Sequence, residues 1–171
     1  MRGEPEGRAD DRGRADQAPQ GKARAAEPAW MAEARSLRAA APKHVLFLCV
    51  ANSARSQMAE GIARALAPEG VKVSSAGSNP SSVRAEAVAV LREIGIDISA
   101  HRSKGVGEID ASVDAVVTLC AEEVCPVWLG SAHRVHWGLP DPAAVDGEGR
   151  LQAFRNVRDE LRRRLQLVFG A

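Results

Sequence analysis

The sequence lacks most of the features that mark secreted, membrane-bound or nucleic-acid-binding proteins. Its three cysteines are an odd number and too few for a secreted disulfide framework, so we expect a reducing compartment. No apolar run approaches the roughly 20 residues of a membrane-spanning helix, and the N-terminus lacks the apolar core of a signal peptide. The 23 basic and 22 acidic residues nearly cancel. We therefore expect a cytoplasmic protein with no membrane and no nucleic acid as its partner.

The first part of the chain is poor in large apolar side chains. Those present in residues 1–42 are Met1, Trp30, Met31 and Leu37. Because so little apolar surface cannot offset the entropy of ordering the chain, we expect a disordered extension, with a short frayed helix over residues 32–41. Met31 is also a candidate for the true start. Residues 43–171 are long enough for one domain with its own core.

From residue 43 onwards, the apolar pattern alternates between that of buried strands and that of amphipathic helices. The predicted strands are residues 44–50, 71–75, 115–119 and 134–137, and the predicted helices are residues 56–67, 84–94 and 151–169. Strands that alternate with helices form a parallel sheet with right-handed crossovers and helices on both faces. The fold class is therefore α/β, a three-layer α/β/α arrangement with a four-stranded parallel sheet.

The turn that follows the first predicted strand is the expected ligand site, because ligands of such sheets bind beyond the carboxyl ends of the strands. Cys49 and Arg55 stand six positions apart there, between a buried strand and a helix N-terminus. Free amides and the helix dipole favour an anion, the guanidinium can hold two of its oxygens, and the same field stabilises a thiolate. The predicted oxyanion-binding residues are Val50, Ala51, Asn52, Ser53, Ala54, Arg55 and Ser56, with Cys49 as the nucleophile. The alternative is that Cys49 packs as a small buried hydrophobe.

Two further cysteines, Cys120 and Cys125, follow the third predicted strand, at the sheet edge where Cys49 lies. They could be inert core thiols, although their segment is polar. They could bind zinc together with His133 and His136, although the spacings are shorter than those of zinc fingers. The third interpretation is a redox pair that exchanges electrons with Cys49.

Several motifs together resemble one known family. The segment CVANSARSQMAE, residues 49–60, resembles the active-site loop of the low-molecular-weight tyrosine phosphatase superfamily, and more narrowly that of its thioredoxin-coupled arsenate reductases. SAG at 75–77, IGIDISAHRS at 94–103, VTLC at 117–120 and HWGLPDP at 136–142 match that family in the same order. The resemblance spans residues 43–169. It implies a low-molecular-weight phosphatase-like fold, and we expect no cofactor.

The resemblance also implies a role for each site residue. Asp141, which precedes Pro142, corresponds to the family's general acid, which protonates the oxygen that leaves the central atom. Cys49 would attack the arsenic of arsenate, Cys120 would attack Cys49 and release arsenite, and Cys125 would attack Cys120. Thioredoxin would then reduce the Cys120–Cys125 disulfide. The predicted function is arsenate reduction, with arsenate as the substrate and thioredoxin as the partner.

A Cys120–Cys125 disulfide has a geometric consequence for its own segment. Five steps along a straight α-helix rise about 7.5 Å, whereas the Cα atoms of a disulfide stand about 4.4–6.8 Å apart. The bridge therefore cannot form within a regular helix. We hypothesise that oxidation bends or unwinds residues 120–125 and exposes the bridge to its reductant.

Some relatives of this type bind a potassium ion beside the oxyanion loop. Asn52, Glu60 and Ser75 fit the corresponding positions, but Arg102 and Lys104 stand where those relatives carry neutral or acidic oxygen ligands. Two cations there would oppose a bound cation. We therefore expect no metal ion.

Two other functions compete with arsenate reduction. A phosphotyrosine phosphatase would need only Cys49, Arg55 and Asp141. Phosphatases of this fold commonly carry tyrosines just after the Asp-Pro pair, however, whereas this chain has no tyrosine, and phosphate transfer leaves Cys120 and Cys125 without a role. A non-catalytic arsenic or metal sensor would use the three thiols as ligands, but binding a soft ion requires no acid at position 141.

Overall fold

Four parallel strands form the centre of the molecule. The computed structural model describes residues 26–121 and 124–170. The strands are β1, His44–Cys49; β2, Lys72–Gly77; β3, Ala115–Thr118; and β4, His133–His136. Their order across the sheet is β2-β1-β3-β4, and each neighbouring pair is parallel. The predicted four-stranded parallel sheet is confirmed, and its carboxyl edge carries the ends of β1 and β3 side by side.

Four α-helices connect and flank these strands. They are α1, Ala29–Ala40; α2, Arg55–Leu66; α3, Ala85–Arg92; and α4, Gly149–Phe169. Two short 3₁₀ helices, Val106–Glu108 and Pro142–Ala144, follow α3 and β4. Gly95 has a φ of +80°, the left-handed conformation that glycine adopts without steric cost, and it stands in the turn that follows α3. Among the helices of the described residues, none is both long and apolar enough to cross a membrane.

Strand β1 is buried along its whole length, so its alternate side chains serve two different clusters. Val45 and Phe47 belong to the larger cluster, to which all four α-helices contribute. Leu46 and Leu48 face the smaller cluster on the other side, against which Trp128 also packs. Burying each such side chain contributes about 1.5–3 kcal/mol relative to leaving it exposed. The sheet therefore holds the end of β1, and with it Cys49, between two packed layers.

Helix α1 corrects the expectation for the N-terminal extension. It starts at Ala29, and Ala34 and Leu37 on it are fully buried. Trp30, Ala34 and Leu37 follow the i, i+4, i+7 spacing of one helix face, and that face belongs to the main core. The prediction of a short frayed helix over residues 32–41 within a disordered extension is corrected in two respects: the helix begins at Ala29, and it packs against the core because α4 supplies the apolar surface that the extension lacks by itself. The remainder of that prediction, for residues 1–25, lies outside the described residues.

Candidate active site

A cavity of about 730 Å³ opens at the carboxyl edge of the sheet, above the turn between β1 and α2. Its lining comes from the predicted oxyanion loop and from the segments that follow β3 and β4. The lining residues are Cys49, Val50, Ala51, Ser53, Ala54, Arg55, Ala121, Pro140, Asp141 and Ala144. The fold thus brings the predicted nucleophile, arginine and acid to one cavity, although Asp141 is 92 residues from Cys49 in the sequence.

Asn52 lies beneath the loop and fixes its shape. Its φ of +46° is left-handed, which costs free energy for any residue other than glycine. Its fully buried side chain makes four hydrogen bonds. In two of them, Nδ2 donates to the Oγ atoms of Ser56 and Ser75, at 2.8 and 2.9 Å. Oδ1 accepts from Gln57 Nε2 and from the Lys104 amide, both at 2.9 Å. These bonds offset the backbone strain and hold the loop closed around its centre.

Two residues that support the loop were not singled out in the sequence. Gly77 ends β2 beneath it, and a Cβ atom there would stand 2.3 Å from the Val50 carbonyl oxygen and 2.9 Å from the Asn52 amide nitrogen. Ser103 donates from Oγ to the Asn52 carbonyl oxygen at 2.7 Å. Gly77 lies in the SAG motif, and Ser103 ends the IGIDISAHRS motif. Both residues therefore belong to segments that the sequence had matched to the family, although neither was predicted to have a role. Their role as loop supports became visible only when the strands were brought together.

Cys49 is buried, and its Sγ lies 2.7 Å from the hydroxyl oxygen of Ser56. Because that oxygen already accepts a hydrogen bond from Asn52, its single proton is available to the sulfur. The N-terminus of α2, which begins at Arg55, directs its positive dipole end toward the same place, where an anion can bind. The predicted nucleophile therefore lies beside a hydroxyl group and a helix N-terminus.

Arg55 is buried at the start of α2, where it joins three parts of the site. Its Nη1 donates to the Leu139 carbonyl oxygen at 3.0 Å and lies 3.5 Å from that of Leu119. Leu119 follows β3, and Leu139 precedes Asp141. These contacts hold the guanidinium between the loop, the end of β3 and the segment that leads to Asp141.

Asp141 lines the same cavity as the loop. Its Oδ1 accepts a hydrogen bond from the Ala143 amide at 3.0 Å and so caps the second 3₁₀ helix. The residue is exposed, while Pro142 beside it is buried. The backbone of the Asp-Pro pair therefore forms an ordinary turn, and that turn places Asp141 in the lining of the cavity.

Cys120 and Cys125 form a disulfide whose Cα atoms are 5.5 Å apart, while Cys49 is free of any bridge. Residues 120–121 and 124–125 are not helical, which agrees with the geometric argument that the bridge excludes a regular helix. Cys120 is 1% exposed. The Cys125 Sγ lies 4.0 Å from the carbonyl oxygen of Leu48, the residue before Cys49. The bridge therefore lies at the end of β1, beside the cavity.

The two histidines of the zinc alternative have other partners. His133 Nε2 lies 3.0 Å from Ser36 Oγ, and His136 Nδ1 lies 2.6 Å from Thr118 Oγ1. Over residues 26–121 and 124–170, no group of three or more His, Cys, Asp and Glu side chains is arranged to hold a metal ion.

Glu60, one of the residues compared with a potassium site in the sequence analysis, is a buried carboxylate. It accepts a hydrogen bond from Ser75 at 2.7 Å, pairs with Arg64 at 2.7 Å, and lies 3.7 Å from Lys104 Nζ. Arg102 does not join it, because its guanidinium pairs with Glu108 at the surface, at 3.0 Å. Of the two cations expected to oppose a bound cation, Lys104 therefore contacts the buried carboxylate and Arg102 does not.

Comparisons with known proteins agree on one family. The sequence profile of the low molecular weight phosphotyrosine protein phosphatase family matches residues 44–170. An arsenate reductase of Halalkalibacterium halodurans is 43% identical over 129 residues, which cover 72% of this chain and 93% of that protein. A solved arsenate reductase in its oxidised state has a TM-score of 0.65 and 34% identity, over 75% of this chain and 97% of that chain. The thioredoxin-dependent arsenate reductase of Corynebacterium glutamicum has a TM-score of 0.52 and 25% identity, over 78% of this chain and 67% of that chain.

Proposed function

This chain belongs to the low molecular weight phosphotyrosine protein phosphatase family and is an arsenate reductase of that family, and we propose that it works by a three-cysteine relay with thioredoxin as the electron donor. The observation that carries the relay is the Cys120–Cys125 disulfide beside the cavity that contains Cys49. A phosphatase needs no such bridge. A thioredoxin-dependent relative supports the choice of donor.

In the first step, the loop amides and Arg55 bind three oxygens of arsenate, and Cys49 attacks the arsenic. A sulfur–arsenic bond forms, and the arsenic–oxygen bond opposite to it breaks. Asp141, which lines the same cavity, protonates that oxygen, which leaves as water. The oxidation state of arsenic does not change in this step.

In the second step, the Cys120 thiolate attacks the Cys49 sulfur. The electron pair of the sulfur–arsenic bond passes to arsenic, so arsenite leaves and a Cys49–Cys120 disulfide remains. The Cys125 thiolate then attacks Cys120, which frees Cys49 and forms the Cys120–Cys125 bridge. The Cys120–Cys125 bridge and the free Cys49 of this structure support that end state. Two electrons and two protons from the thioredoxin dithiol restore the two thiols.

The relay is tested by replacing each cysteine in turn. Arsenate-dependent NADPH consumption, measured with thioredoxin and thioredoxin reductase, should disappear in the Cys49→Ser, Cys120→Ser and Cys125→Ser variants. Phosphate binding by the Cys120 and Cys125 variants serves as the matched control for an intact loop, because neither residue belongs to it.

Robust arsenate turnover by the Cys125→Ser variant with the same donor would reject the relay. The alternative, a low molecular weight phosphatase that uses Cys49, Arg55 and Asp141, predicts a different pattern. A phosphatase would hydrolyse phosphomonoesters equally well without Cys120 and Cys125, and the wild-type protein would not consume NADPH in the presence of arsenate.

A further inference from the structure

Four polar side chains form a hydrogen-bonded chain near the amino ends of β1 and β2. His44, which begins β1, is buried, and its Nε2 lies 2.8 Å from Ser74 Oγ on β2. Its Nδ1 lies 2.7 Å from Ser112 Oγ and 3.7 Å from Asp110 Oδ1. Ser112 Oγ donates in turn to Asp110 Oδ1. We call Ser74, His44, Ser112 and Asp110 the serine–histidine chain.

The protons of this chain can be assigned from its carboxylate end. Lys72 and Ser112 donate to Asp110 and hold the pKa of that carboxyl well below its usual range, and an ionised carboxylate only accepts hydrogen bonds. The single hydroxyl proton of Ser112 therefore points to Asp110, so Ser112 Oγ accepts from His44 Nδ1. Burial lowers the pKa of His44, and the charge of Lys72 lowers it further, so the imidazole is neutral. Its Nε2 consequently accepts the proton of Ser74 Oγ.

This direction of the hydrogen bonds is the one that activates a serine hydroxyl. A neutral imidazole that accepts the hydroxyl proton can remove it while the oxygen forms a new bond. The imidazole becomes positively charged in that step, and a carboxylate on its other side stabilises the charge. Asp110 is in place for this role, both directly and through Ser112. The serine–histidine chain therefore has the parts of a nucleophilic site.

The Ser74 end of the chain is open to a small molecule. Ser74 lines a cavity of about 350 Å³, and no described residue lines both this cavity and the one that contains Cys49. Its lining includes the cations Arg64, Lys72 and Lys104 and the carboxylates Glu60 and Asp110. Mixed charges of this kind suit a small polar molecule better than a long apolar one. We propose that Ser74 is the nucleophile of a second site, which takes the acyl group of small polar esters.

The acyl transfer at this site balances within the serine–histidine chain. Ser74 Oγ forms a bond to the carbonyl carbon of the ester, and its proton passes to His44 Nε2. The bond between that carbon and the alcohol oxygen then breaks, and the alcohol leaves with the proton from His44 Nε2. The serine is left as an ester, with no change in oxidation state. Water that enters by the same path returns the proton to Ser74 and releases the acid.

The experiment uses the full chain, with 4-nitrophenyl acetate as the acyl donor. Reactions are quenched with acid, and acetylated peptides are quantified by mass spectrometry after neutral hydroxylamine, which cleaves a thioester on Cys49 but not an ester on serine. Ser74 should carry an acetyl group. His44→Gln should slow its acetylation about 100-fold and Asp110→Asn about tenfold. Ser82→Ala, at an exposed serine outside the chain, is the matched control and should leave the rate unchanged.

Two results would overturn the second site. One is a Ser74 peptide that carries no acetyl group after the treatment. The other is an equal rate of Ser74 acetylation in the wild type and in the Asp110→Asn variant, because the hydroxyl would then react without help from the chain. Circular dichroism verifies the fold of each variant. If His44→Gln does not fold, Asp110→Asn decides the question, since the side chain of Asp110 is 52% exposed.

Discussion

Asn52 and Gly77 shape the oxyanion loop from below. Asn52 holds the loop through four side-chain hydrogen bonds, and Gly77 allows β2 to approach the loop backbone more closely than a Cβ atom would permit. Neither residue lines the cavity. We therefore expect both to affect anion binding through the positions of the loop amides, which must converge on one centre to bind an oxyanion.

Gly77→Ala should weaken oxyanion binding. The added methyl group would push against the Val50 carbonyl and the Asn52 amide, and losing one amide–anion hydrogen bond costs about 1.5–3 kcal/mol, or about 10- to 100-fold in Kd. Isothermal titration with phosphate measures the change. Gly107→Ala is the matched control, because a Cβ there meets no atom within 4 Å. Equal phosphate affinities in the two variants would contradict the role given to Gly77.

At the scale of whole elements, α1 is held to the domain by several contacts. Besides the buried Ala34 and Leu37, the Trp30 ring lies 5.2 Å from the Arg164 guanidinium of α4, which is also 5.7 Å from the Trp137 ring. Such cation–π contacts add about 0.5–1 kcal/mol each when partly exposed. The helix therefore stabilises β4 and α4, and α4 in turn packs against α2, which starts at the loop.

Leu37→Ala should lower the free energy of unfolding by about 2–5 kcal/mol, because it removes a fully buried side chain and leaves a cavity. Urea denaturation followed by tryptophan fluorescence measures this change. Leu151→Ala is the matched control, at a leucine that is 37% exposed, and it should cost less. Indistinguishable denaturation midpoints in the two variants would mean that α1 does not share the domain's cooperative unfolding.

The segment from Cys120 to Cys125 is the element expected to change with redox state. Its amides should exchange with deuterium more slowly after reduction, because residues freed from the bridge can form helical hydrogen bonds. Hydrogen exchange in the oxidised and reduced protein tests this, with α3 as an internal reference. Cys125→Ser cannot form the bridge, so its exchange in this segment should match the reduced state under both conditions. Unchanged exchange in the wild type would reject the hypothesis.

At the scale of the whole molecule, buried histidines make stability depend on pH. His44 begins β1, and its ring nitrogens lie 2.7 and 2.8 Å from the hydroxyls of Ser112 and Ser74. Burial lowers the pKa of His44, and the charge of Lys72 lowers it further. Burial also lowers the pKa of His101, although Glu60 opposes this effect. Both imidazoles are therefore neutral in the folded protein at a pH where they begin to protonate in the unfolded chain.

The free energy of unfolding should decrease as the pH falls from 7.5 to 5.5. Below about pH 6.5 the unfolded state binds protons that the folded state does not, so each buried histidine removes up to about 1.4 kcal/mol per pH unit until its folded pKa is reached. Urea denaturation at several pH values measures this slope. His44→Gln should make the slope shallower, whatever its effect at pH 7.5. Parallel pH profiles for the two proteins would exclude His44 as a source of the dependence.

The sequence by itself determined the sheet, three of the four α-helices and the strand–turn–helix unit that carries the predicted oxyanion loop. These features depend on local patterns: apolar runs, four-residue spacings, and a cysteine and an arginine on one strand–turn–helix unit. The motif resemblance added the pairing of Cys120 with Cys125, which the structure contains, and the prediction that Asp141 is the acid. No local pattern fixes either of these.

Only the tertiary structure decided the features that depend on a distant partner. Helix α1 is marginal alone and is buried because α4 completes its core. Gly77 matters because β2 runs directly beneath the loop, and Arg102 turns to Glu108 and away from Glu60. Trp128 packs against the smaller core cluster, whereas its chain neighbours Val127 and Leu129 are exposed. In each case the side chain's environment is set by residues far away in the sequence, and packing is what brings those residues together.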